Sequence, residues 1–133
     1  MKLTRRYRFS ASHRLDVASL SPEENRKLFG KCNNPYGHGH DYVLDVTLEG
    51  VPDESGQIER RAELDSFVLE KIIVRLDHRN LNSDVGELAG VPPTTENLAG
   101  AVQNMLKQDW PFRARLARVR ISETDRNIFE LES

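Results

Sequence analysis

The sequence is poor in the features that would assign it to several large protein classes. It has a single cysteine, Cys32, so no internal disulfide can form. Its longest aliphatic run is Ile72-Ile73-Val74, far short of the roughly 20 apolar residues a membrane-spanning helix requires. Met1-Lys2-Leu3-Thr4-Arg5-Arg6 opens with charge but leads into no apolar stretch of signal-peptide length, and the cytosol is the expected location. Neither charge sign dominates: 19 Lys and Arg stand against 21 Asp and Glu, a net charge of −2. That balance argues against a general nucleic-acid binder, which would show a basic excess. Hydrophobic residues make up only 38% of the 133 positions. The length fits one domain over residues 1–133, with a modest core that contacts between copies would complete.

What the chain does have is clear periodicity. Leu3, Tyr7, Phe9 and Ala11 share one parity and alternate with Lys2, Thr4, Arg6, Arg8 and Ser10. This pattern predicts a half-buried strand over about residues 2–13, with His13 ending its apolar face. The same signal returns in His38, His40, Tyr42, Leu44, Val46 and Leu48. Two further strands are expected over about 114–123 and 127–132, joined by Thr124-Asp125-Arg126. Ser21-Pro22-Glu23-Glu24 has the form of a capping box with proline at the first helical position, and Gly30 is a fitting stop, which predicts a short helix over 22–29. Leu64, Phe67, Val68, Ile72 and Leu76 follow helical spacing over about 62–75. Thr94 caps a further helix with a stripe of Leu98, Ala101, Val102, Met105 and Leu106. Residues 77–93 show no period and read as a loop. The order β, short α, β, α, α, β, β gives an α+β layer: two main helices on one face of an antiparallel sheet.

The chemistry concentrates in few residues. Only four histidines exist, and His38-Gly39-His40 puts two of them on one face of a strand, about 6.5 to 7 Å apart along the backbone. If the first two strands pair, His13 supplies a third nitrogen. Three neutral imidazoles with one open position are a ligand set of catalytic zinc. Cys32 lies six residues before His38, in a loop of turn formers. It is either a thiolate poised over that open position or an inert small side chain. Asp77-His78 begins the irregular segment, where a carboxylate could orient an imidazole that exchanges protons with the thiol. Glu123 shares parity with Val119 and Ile121 and is expected to point inward, where a carboxylate needs a partner. Glu96 falls in the first turn of a helix, a place that favours an acid for purely local reasons.

Taken together, these stretches resemble a known family. Phe9-Ser10-Ala11-Ser12-His13-Arg14-Leu15, Glu23-Glu24-Asn25, Leu28-Phe29-Gly30-Lys31-Cys32-Asn33-Asn34-Pro35, Gly37-His38-Gly39-His40, Leu76-Asp77-His78, Thr94-Thr95-Glu96-Asn97 and Glu123-Thr124-Asp125 are similar to the 6-pyruvoyl-tetrahydropterin synthases and the related bacterial 6-carboxytetrahydropterin synthases. The resemblance implies that His13, His38 and His40 hold zinc, that Cys32, Asp77 and His78 form a proton-transfer triad, and that Glu123 clamps a pterin ring with Thr95 and Glu96 nearby. It implies a four-stranded antiparallel sheet with two helices on one face, of the tunnelling-fold type, assembling into a β-barrel within a homohexamer of two trimers. Active sites would lie at subunit interfaces. The implied reaction converts 7,8-dihydroneopterin triphosphate to 6-pyruvoyl-tetrahydropterin. The spacing between Cys32 and the histidine pair favours that product over 6-carboxytetrahydropterin for a queuosine-type pathway, and a zinc-stabilised pterin-binding protein without turnover is a reading of another class. Glu59-Arg60-Arg61 departs from the apolar, acid or amide, apolar pattern usual there, which puts the local packing in question.

Overall fold

A computed structural model describes all 133 residues. The first strand, β1, spans Lys2–His13 and the second, β2, spans His38–Glu49. They pair antiparallel over their full lengths, from Lys2 opposite Glu49 to His13 opposite His38. The pairing on which a three-histidine cluster depends is therefore present. Between the strands lie α1, Pro22–Phe29, and a 3-10 turn, Gly30–Asn33. Both hydrogen bonds of the expected capping box form at α1: the Ser21 side chain accepts from the Glu24 amide, and Glu24 accepts from the Ser21 amide.

Tyr42, Leu44, Val46 and Leu48 are completely buried, as alternation requires of the strand face turned to the core. Two helices cover that face. The first, α2, runs over 61–76 and includes a π turn at Leu69–Ile73. A π turn inserts one extra residue into the helical ladder, and here both Ile72 and Ile73 are buried side by side. The second, α3, is Thr95–Gln108, with the Thr94 hydroxyl accepting from the Asn97 amide. Leu98, Val102, Met105 and Leu106 on α3 join Leu64, Val68 and Leu76 of α2 in one core cluster of 25 residues.

The sheet departs from the expectation of four antiparallel strands. It has five, because Arg79–Asn80 forms a two-residue strand, β3, parallel to β1. With β4 at Arg115–Ser122 and β5 at Ile128–Glu132, the order is β3-β1-β2-β4-β5, a mixed sheet. The cause is local: the His78 amide donates to the Ser10 carbonyl at 2.6 Å and the Leu81 amide to the Ser12 carbonyl at 2.8 Å. These bonds lay the chain along the free edge of β1. Two residues are too few to carry a periodic signal.

Glu59-Arg60-Arg61 packs without difficulty. The Glu59 carboxylate accepts the Ala114 amide at 2.8 Å, tying the segment before α2 to β4, while both arginines face solvent.

Candidate metal and catalytic site

The site lies where β1 ends and β2 begins, on the helix-covered side of the sheet. His13 is fully enclosed, with 1% of its surface exposed. Its Nδ1 lies 2.9 Å from the Pro93 carbonyl. A carbonyl only accepts, so Nδ1 carries the proton and Nε2 presents a lone pair. That lone pair faces the Cys32 sulfur at 3.3 Å. On the other side Sγ is 3.8 Å from His40 Nε2. Glu123 completes the group, its Oε1 3.4 Å from His40 Nε2 and 3.9 Å from His13 Nε2. The four donor atoms of His13, Cys32, His40 and Glu123 all lie within 4.8 Å of one another.

These separations suit a metal ion. Bonds of about 2.0–2.3 Å to zinc in a tetrahedron put neighbouring donors about 3.3–3.8 Å apart; four of the donor separations are 3.3 to 3.9 Å, and none exceeds 4.8 Å. Imidazole nitrogen, thiol sulfur and carboxylate oxygen are all established zinc donors. The backbone hydrogen bond to His13 is the kind of outer contact that fixes a ligating imidazole's tautomer and ring orientation.

Burial sets the electrostatics of these groups. It holds the His13 and His40 imidazoles below the ordinary histidine range, because a cation there would lose its hydration. It pushes the Cys32 thiol up, and the nearby Glu123 carboxylate adds to the effect. Without a cation the site therefore keeps two neutral imidazoles and a protonated thiol.

The other expected residues are less convergent. His38, opposite His13 in register, is not among the four clustered donors. Its ring stands edge-on to His40 with centroids 4.7 Å apart, and no hydrogen bond orients it as Pro93 orients His13. Thr95 is buried at 3% exposure and its hydroxyl approaches the phenol of the buried Tyr42; neither group makes a well-formed hydrogen bond, and the Tyr42 ring packs 5.6 Å from that of His40. Glu96 lies exposed in the first turn of α3. Asp77 accepts the Ser10 amide at 2.9 Å and lies 3.5 Å from His78 Nε2. His78 adopts φ 59°, unusual for a residue with a side chain, and its side chain is 83% exposed. Neither residue forms a hydrogen bond or ion pair with Cys32. His78 instead lines a cleft of about 480 Å³ with Ser10, Ser12 and Asp41, residues whose parity assigns them to the opposite face of the sheet from His13, and Ala11, Gly39 and His40 also line it.

A model of the family described as 6-pyruvoyl tetrahydropterin synthase matches residues 2–133. The chain belongs to this family. The human 6-pyruvoyl tetrahydrobiopterin synthase is 47% identical over 128 residues, covering 96% of this chain and 88% of that protein. The corresponding protein of Poecilia reticulata is 44% identical over 127 residues, covering 95% and 86%. A solved structure of Caenorhabditis elegans 6-pyruvoyl tetrahydropterin synthase superimposes with a TM-score of 0.91 at 38% identity, covering all of this chain and 95% of that one. For this synthase-family chain, sequence reasoning missed two features of the site: Glu123 as a member of the metal-capable cluster, and the Pro93 carbonyl as its anchor. Inward parity pointed Glu123 toward the core, but nothing in the sequence signalled a contact spanning the 80 positions from His13 to Pro93.

Proposed function

We propose that this chain is a zinc-dependent lyase that converts 7,8-dihydroneopterin triphosphate to 6-pyruvoyl-tetrahydropterin with release of triphosphate. The observation that carries the reading is the convergence of His13, Cys32, His40 and Glu123 on one point, in a chain whose relatives bear that synthase's name. His13 and His40 hold the metal, and His38, register partner of His13 on the same strand face, completes the set by turning its ring. Zinc held by these residues would supply Lewis acidity toward the side-chain hydroxyls of the substrate and would favour the thiolate of Cys32. Cys32 then removes a proton from the adjacent carbon. Glu123 accepts hydrogen bonds from the N–H edge of the pterin, with Thr95 and Glu96 nearby.

Asp77 and His78 return protons to the substrate, with Asp77 holding the imidazole. Because they lie apart from Cys32 within one chain, a neighbouring chain brings them to it, and the working enzyme is a homohexamer of two trimers whose sheets close into a barrel. Incubation with dihydroneopterin triphosphate, followed by mass spectrometry, tests the reading. The expected product has lost the elements of triphosphoric acid. A 6-carboxytetrahydropterin product would assign the chain to the carboxy branch, and bound but unaltered substrate would make it a pterin-binding protein.

A further inference from the structure

Cys32 is carried by a 3-10 turn, with no helix or sheet ladder to fix its thiol against His13. The bonds that do so come from one neighbouring side chain and one amide. The Leu15 amide donates to the Cys32 carbonyl at 2.7 Å. In return, the Asn33 side-chain amide donates to the Leu15 carbonyl at 2.7 Å and to Asp16 Oδ1 at 3.1 Å. Asn33 is 6% exposed. The two donations run in opposite directions, and together they clamp residues 32 and 33 to Leu15 and Asp16, two and three positions after His13.

We infer that Asn33 is a positioning residue, whose amide holds the Cys32 thiol at contact distance from the His13 imidazole. No role for this side chain follows from the metal cluster or from the pterin contacts. Its function in catalysis rests on the lyase reading above; its effect on thiol placement does not. A carboxylate at position 33 would present only acceptors to the Leu15 carbonyl and the Asp16 carboxylate, so the clamp would open by repulsion while side-chain volume stayed nearly constant. Misplacement of a reacting group by about 1 Å can cost on the order of 10²-fold in rate.

A second buried asparagine provides the control. Asn25 is 2% exposed and holds the preceding loop through Val17, Leu20 and Ser21, with no hydrogen bond to residues 15, 32 or 33. It matches Asn33 in burial and bonding but not in position.

The test compares Asn33→Asp, Asn33→Ala and Asn25→Ser with the unaltered protein, by two readouts. The first is the rate of Cys32 alkylation by iodoacetamide, followed by intact mass, which needs no turnover. The second is the separation of kcat from KM with dihydroneopterin triphosphate. Both Asn33 variants are expected to change the alkylation rate by about fivefold or more, at unchanged zinc content. They are also expected to lower kcat by about 10- to 100-fold with KM within about twofold. Asn25→Ser should lower the melting temperature while leaving both readouts near the unaltered values. Unaltered alkylation in folded Asn33 variants, equal effects from Asn25→Ser, or failure of both Asn33 variants to fold would each overturn the inference and leave Asn33 a structural residue. If the unaltered protein shows no turnover at all, the lyase reading fails by itself, and the alkylation comparison still decides the role of Asn33.

Discussion

At the scale of single residues, the thiol and the imidazoles have separable jobs. Sγ of Cys32 sits among the metal-capable donors, 3.3 Å from His13 and 3.8 Å from His40, so position alone serves either a ligand or a base. Composition of the variant distinguishes them. Cys32→Ala is expected to keep its zinc, because three imidazoles suffice, while turnover falls by about 10²-fold or more, the range of a positioned acid-base group. Elemental analysis showing stoichiometric loss of metal would make the thiol a ligand. The imidazoles give a prediction on pH. Burial lowers the folded-state values of His13 and His40, so below about 6.5 the unfolded chain binds more protons than the native one. For lowered histidine values the sign is fixed: stability is fully present above that pH and is lost as pH falls toward the folded values. Metal-free protein should therefore melt at progressively lower temperature between pH 7.5 and 5.5, with a smaller change in His40→Ala. A flat profile would show that neither ring is buried as a neutral base. Zinc affinity should fall over the same interval, since protons and metal compete for the same nitrogens.

Elements show where the sequence was informative and where it was not. Alternation located β1 and β2 and put His13, His38 and His40 on one face, because strand parity is a property of neighbours in sequence. The capping box at Ser21 was legible for the same reason. The two-residue β3 was not, since its existence depends on carbonyls of Ser10 and Ser12 almost 70 positions away. Nor was the position of His38 outside the donor cluster, its ring set edge-on to His40, since parity fixes the face of a side chain and not its rotamer. One turn between elements has a requirement that can be tested. Gly37, at φ 79°, follows Asn34 in a tight turn closed by its amide donating to the Asn34 carbonyl at 2.8 Å. A Cβ at this position would lie 2.8 Å from the His13 carbonyl oxygen, closer than real Cβ atoms approach, in a backbone conformation that side chains disfavour. Gly37→Ala is expected to push the turn away from β1 and shift His38 relative to His13. Zinc binding should weaken by about 10-fold or more, within the range for lost outer support of a metal site, while far-ultraviolet circular dichroism stays the same. Unchanged affinity in a competition with a chromogenic chelator would show that the loop accommodates the methyl group.

At the scale of the whole molecule, the division of the proposed catalytic groups between two sides of one sheet makes a prediction about assembly. Cys32 reaches the helix-covered face through His13 and His40, whereas His78 opens onto the cleft with Ser10, Ser12 and Asp41. His78 stands at the start of β3 on the outer edge of β1, and within one chain neither it nor Asp77 bonds to Cys32. If both groups act on one substrate, they come from different copies, and light scattering should report a homohexamer. Stronger evidence comes from mixing two inactive variants. Cys32→Ala retains the histidine, and His78→Ala retains the thiol. Each alone should be nearly inactive as a pure assembly, because every interface then lacks one group. When equal amounts are unfolded together and reassembled, each interface draws its thiol and its imidazole independently from the pool. About one site in four then receives both, so activity should return to about a quarter of the unaltered value, as expected for a site shared between symmetric copies. A mixture as inactive as its components, in oligomers shown by mass spectrometry to contain both variants, would place Cys32 and His78 in one chain's site, whereas a single variant that keeps its activity would remove that group from the reaction.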